Sequence, residues 1–171
     1  MFKKILTAIL ASVMLLSVAA CGEKAPASYA GTLEVLADAI YAQNPLELAM
    51  GPTTQIDIAN ADTLKYYLGL SDAAGVKEAV FSEPMIGSIP YSLCLIRVTE
   101  DADIAAVSQS IFDGIDTRKW MCVEADQLIV AHYADIILMV MANSENSATL
   151  AGDMCSAFST VIGGEVTKLE K

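Results

Sequence analysis

One histidine, His132, in a chain of 171 residues leaves little room for the chemistry on which most hydrolases run. A Ser–His or Cys–His nucleophile would have to use that single imidazole. It falls at the end of a strand-like run beside Tyr133, where a water-facing hairpin position accounts for it. The sequence holds no GxSxG, no HExxH and no glycine-rich phosphate loop, so no catalytic residue is assigned. Positive charge is scarce as well, with 10 Lys and Arg against 21 Asp and Glu. A field of that sign repels nucleic acid and anionic headgroups, which removes nucleic acid from the partners expected. There is no CxxC among four cysteines, hence no zinc knuckle or redox pair. EF-hand spacing of oxygen ligands is also missing. Asp101 and Asp103 fall at a helix start, where carboxylates serve as caps and favour the macrodipole. No metal and no cofactor is expected.

What the sequence does have is a distinctive beginning. Lys3 and Lys4 precede an uncharged apolar run, Ile5 to Val18, and Val18-Ala19-Ala20-Cys21 follows. Charge, apolar stretch and small residues in that order form a leader. A cysteine directly behind two alanines makes it a lipoprotein leader, cleaved between Ala20 and Cys21, with the Cys21 thiol carrying a diacylglyceryl group. Ile5 to Ala20 is shorter than the roughly 20 residues a membrane-spanning helix needs. Two acyl chains at about 0.8 kcal/mol per buried methylene hold stably, where one chain holds only marginally. The protein is therefore expected on the extracytoplasmic side of the cell membrane, its partner there being the bilayer itself. With Lys3 and Lys4 removed, eight Lys and Arg face 21 Asp and Glu, a formal charge of −13.

The organisation expected is a signal peptide over residues 1–20, a lipidated cysteine and tether over 21–31, and one globular domain over 32–171. Gly22 to Ala30, broken by Pro26, is a short tether with a reach of roughly 30 Å. Leu33, Leu36, Ala37, Ile40 and Tyr41 recur at helical spacing behind a Thr32 cap. Asn60 or Asp62 caps a short helix that Gly69 ends. Val76 to Ser82 and Tyr91 to Thr99 are strand-like, the second apolar on both faces and so covered on both. Asp101 or Asp103 starts a helix with Ile104, Val107, Ile111 and Phe112 on one stripe, its last turn loosened by Gly114. Two strands follow, Gln127 to Tyr133 and Asp135 to Ala142, reversing near Ala134 and Asp135. Ser144 or Ser147 then caps a helix that Gly163-Gly164 ends, and Glu165 to Lys171 is expected to fray. The fold class is α+β: an antiparallel sheet of about four strands, strand-strand-helix occurring twice, with helices packed on it behind an N-terminal amphipathic helix. Cys94, Cys122 and Cys155 are expected to be three buried thiols.

The leader with its cysteine, the Leu33 to Tyr41 helix, the Tyr67-Leu68-Gly69-Leu70 turn, the Pro84-Met85 loop, the helix running into Lys119-Trp120 and the last apolar strand before a capped helix together have a counterpart. The chain resembles a family of small lipoproteins of Gram-positive, Clostridia-type anaerobes that carry a domain of unknown function. The resemblance implies fold and location and no catalytic residue. It departs from the family at its solvent faces, which in many relatives are rich in lysine.

Two stretches are candidate partner surfaces. Met85, Ile86 and Ile89 sit between Pro84 and Pro90 as an apolar knuckle, which either projects or folds back over the open end of the sheet. Arg118, Lys119 and Trp120 form a compact basic-aromatic cluster, an interface anchor or a corner plug. The function expected is a non-enzymatic, lipid-anchored binding or assembly module with a protein partner in the envelope. A small-ligand or cation carrier attached to a transporter, and a cell-envelope hydrolase, stand behind it.

Overall fold

The computed structural model describes residues 27–171; the leader, its cleavage site and Cys21 lie outside the described residues. The elements are α1 (Leu33–Gln43), β1 (Thr54–Gln55), α2 (Ala61–Leu68), β2 (Val76–Ser82), β3 (Ser92–Val98), α3 (Ile104–Gly114), β4 (Gln127–Tyr133), β5 (Ile136–Ala142), α4 (Leu150–Ile162) and β6 (Thr167–Glu170). Local chemistry starts three of the helices. The Thr32 hydroxyl accepts from the Val35 amide, Asn60 from Asp62 and Thr63, and Asp103 from Ala105 and Ala106, each satisfying amides that a first turn leaves unpaired.

The fourth helix corrects an expectation. Neither Ser144 nor Ser147 caps α4. Ser144 is held by Asp126 through both its amide and its hydroxyl, and the amide of Ser147 closes a turn on the carbonyl of Asn143. The free Ala151 amide instead donates 3.0 Å to the Gln127 side chain, which reaches across from β4. That donor–acceptor pair spans 24 positions, so no local pattern announces it.

All the strands join one antiparallel sheet in the order β1-β2-β3-β5-β4-β6. Six strands among the described residues, rather than about four, is the second correction. The additional two are edges: β1 is two residues long and pairs with Phe81 and Val80 of β2. The tail expected to fray is β6, paired with Ile129 to His132 of β4. Those four residues cover backbone that would otherwise be an open edge, and Lys168 and Glu170 keep the new edge charged.

Alternation along the central strands explains the layering. Every position of β3 and β5 is buried. Leu93, Leu95, Leu138 and Val140 pack with α1 and α4 on one face, while Cys94, Ile96, Ile137 and Met139 pack with α2 and α3 on the other. The protein is a three-layer α/β/α sandwich around an antiparallel sheet. The twofold strand-strand-helix order is not a structural duplication. Exchanging the antiparallel neighbours β3 and β5 requires a twofold axis perpendicular to the sheet, which keeps both helices on one face. Here α3 and α4 lie on opposite faces.

Glycine does more than loosen a turn at the end of α3. Gly69, left-handed at φ 69°, ends α2 directly against Gly114. A β-carbon on Gly69 would lie 2.2 Å from the Gly114 carbonyl carbon, and one on Gly114 would lie 2.3 Å from the Gly69 oxygen. The two helix ends touch backbone to backbone.

Candidate functional site

Register divides the loops between two ends of the sheet. Ser82 pairs with Leu93, Ser92 with Met141 and Gln127 with Ala142, so residues 83–91, 115–126 and 143–149 gather at one end. At the other end Arg97 pairs with Ile136 and Tyr133 turns into Asp135.

The second end holds the N-terminal segment. Arg97, buried on β3, donates to Glu78 Oε1 (2.7 Å), Asp135 Oδ2 (2.7 Å), the Tyr29 carbonyl (2.8 Å) and the Gly31 carbonyl (2.7 Å). Asp135 also accepts from the Tyr29 amide. A guanidinium with its donors spread over two carboxylates and two carbonyls is a satisfied buried charge, and it fastens the chain to the sheet from Tyr29 onward. An open recess of about 910 Å³ lies beside this clamp, lined among others by Lys77, Thr99, Glu100 and Ile104. Four of the five N–H donors of Arg97 are taken by its partners in the clamp.

The first end holds both stretches singled out from the sequence, and the structure divides each of them. In the knuckle, Met85 is 72% and Ile86 54% exposed, whereas Ile89 packs back on the α1/α4 core. Backbone bonds from Met85 to Ala49 and from Gly51 to Glu83 brace the loop. In the basic-aromatic cluster, Arg118 is exposed and pairs with exposed Glu124 at 3.3 Å, an arrangement of little energetic weight. Lys119 is the opposite of the surface residue expected. Its side chain is 2% exposed, with Nζ 2.7 Å from Glu83 Oε1 and 3.2 Å from Ser92 Oγ. The ammonium also faces the rings of Tyr66, Tyr67 and Trp120 at 4.7, 5.0 and 5.2 Å. Desolvation makes such contacts stronger than they would be at an exposed site. Trp120 packs against the α2/α3 core, which is the corner-plugging role. Lys119 therefore ties the knuckle loop to the loop after α3, and Met121, 85% exposed, follows it.

The same cage sets nearby pKa values. Burial, with the Glu83 carboxylate adding to it, pushes the Tyr67 hydroxyl up to about 12. Burial likewise pushes the Cys94 thiol up to about 12, with Lys119 opposing. Cys155 is buried and shifted upward for the same reason. Cys122 departs from expectation: it is exposed, at φ 63°. With thiolate as the reactive form, a native-state thiol reagent is expected to modify Cys122 and to leave Cys94 and Cys155 until the protein is unfolded. Mass spectrometry of the labelled peptides checks this, and labelling of Cys94 in the native protein would contradict the burial described.

His132 does not simply face water. It lies on β4, inside the sheet rather than at its edge, and its Nδ1 is 3.2 Å from Ser108 Oγ of α3. Desolvation lowers its pKa, with Asp103 pulling the other way. Ser108 is 1% exposed, so a substrate has no path to its hydroxyl and the pair ties α3 to the sheet. No sequence motif marked Ser108. Among the described residues no group of three or more His, Cys, Asp or Glu side chains could hold a metal ion, and no helix is long and apolar enough to cross a membrane.

No family model, curated protein or solved structure matches the chain.

Proposed function

We propose that this protein is a lipid-anchored binding or assembly module. Cys21 holds it on the outer face of the cytoplasmic membrane, and the loop end of the sheet meets a partner in the envelope. The observation that carries the reading is polarity. The chain is clamped at Tyr29 and Gly31 to one end of the sheet, and the exposed Met85, Ile86 and Met121 belong to loops at the other. Clamping shortens the free tether to Gly22–Ser28, at most about 23 Å of extended chain. Seven-residue strands are themselves about 23 Å long. The anchor thus keeps one end near the bilayer and leaves the other facing outward.

Intact-mass analysis of the N-terminal peptide tests the anchor, with a diacylglyceryl group on Cys21 as the expected result. Cys21→Ala should release the protein from membranes, and an unacylated terminus in the wild type would remove the reading. Met85→Ser with Ile86→Ser is expected to abolish partner binding while moving the melting temperature little, because neither side chain is in the core. Loss of folding in that variant would instead make the knuckle a structural element.

A further inference from the structure

We infer that the partner of the loop end is a protein surface with an apolar recess rimmed by lysine and arginine. The inference rests on the anchored-module reading and adds the chemistry of what is bound.

Five large hydrophobic side chains are exposed among the described residues, and four of them belong to the end of the sheet that Lys119 braces: Tyr66 beneath its ammonium, Met85 and Ile86 on the loop that begins at Glu83, and Met121 two residues after Lys119. Single exposed apolar residues scatter over any surface. Concentration of four at one end marks a contact site. Two are methionines, whose unbranched, polarizable side chains fit irregular recesses. The Lys119–Glu83 pair holds both loops before any partner arrives, which lowers the ordering cost of association.

Charge selects the partner's rim. Lys119–Glu83 and Arg118–Glu124 cancel. Glu47, on the loop that braces Met85, and Asp116, Asp126 and Glu145 have no ionic partner within 4 Å among the described residues. Against these four stand the unpaired cations Lys65, beside Tyr66 in the last turn of α2, and Lys171, beside Leu128 and Phe112, so the charge balance at this end is negative. Such a rim attracts a basic one, steering encounter and excluding acidic partners. It also repels the anionic face of a bilayer, which argues against insertion of Met85 and Ile86 into lipid.

The test uses the full acylated chain in the envelope of producing cells, with a photo-crosslinking amino acid at position 85 and, as a control, at position 156 on the exposed side of α4. The expected result is a discrete protein adduct from position 85 and none from position 156. The double reversal Glu47→Lys with Glu145→Lys should lower the yield at least about fivefold, and raising the salt from about 0.1 to about 1 M should lower it too, as screening shortens. Neither carboxylate supports a hydrogen bond of the fold, and an unchanged melting temperature confirms the variant is intact. A protein adduct indifferent to both changes overturns the basic rim and leaves the module reading standing. An adduct to phospholipid overturns the protein partner. No adduct at position 85, with Cys21 shown to be acylated, overturns both the inference and the outward contact site, and an unacylated Cys21 identifies failure of the anchor alone.

Discussion

Replacing Lys119 by methionine is expected to destabilise the protein by about 3–5 kcal/mol, the range for removing one member of a buried ion pair. Methionine fills most of the volume between the three rings, so cavity formation contributes little. What remains is the Glu83 carboxylate, 18% exposed, with its ammonium gone and Ser92 no longer donated to. Glu83→Gln, which keeps the side-chain shape and leaves the ammonium in its aromatic cage, should cost less. The double variant is expected to recover part of the loss, since a buried pair replaced as a unit leaves no orphaned charge. Urea denaturation of the four proteins closes the cycle, with the midpoint moving and the slope held. A double variant as unstable as the sum of the singles would show that the two groups do not act together. Protease cleavage within residues 84–90 should rise in each single variant, because the loop's side-chain tie is lost while its backbone bonds to Ala49 and Gly51 remain.

A second large loss is expected from one methyl group at the contact between α2 and α3. Gly69→Ala places a β-carbon 2.2 Å from backbone and forces a left-handed conformation on an L side chain. Together these cost about 2–4 kcal/mol. Gly114→Ala strikes the same contact from the other side, 2.3 Å from the Gly69 oxygen, and should cost about 1–3 kcal/mol. Since either methyl separates the same two helix ends, the double variant should fall short of the sum. Gly152, inside α4 with nothing within 4 Å of a built β-carbon, is the internal control. Alanine there is expected to be neutral or stabilising by up to about 1 kcal/mol. Thermal melts of the three single variants suffice. A Gly69→Ala protein as stable as the wild type would mean that α2 and α3 do not meet as described.

Features with a period or a cap were legible in the chain. The apolar stretches Leu93–Val98 and Ile136–Ala142 became β3 and β5, buried at every position, because a covered strand needs side chains that pack on both faces. Asn60, Asp103 and Thr32 became caps because their oxygens reach amides two or three residues ahead. Features built from distant residues were not legible. β1 and β6 carry too little apolar character to declare themselves, and exist because β2 and β4 offer them an edge. Gln127 caps α4 from another layer. Lys119 and Trp120 look like a basic-aromatic surface pair in sequence, yet the turn after α3 drives the lysine inward to Glu83 and leaves Met121 outside.

By itself, the sequence determined the α+β class, the boundaries of the main strands, the helix starts with side-chain caps, and the acidic charge balance. All of these follow from patterns a few residues long, where backbone geometry dictates which side chains share a face. Tertiary structure alone decided that α3 and α4 take opposite faces, that the N-terminal segment is clamped by Arg97 at one end, and that the exposed methionines gather at the other. Each depends on groups tens of residues apart being brought together by the sheet, and the strength of a charge or a clash at such a contact depends on surroundings that no short stretch of chain contains.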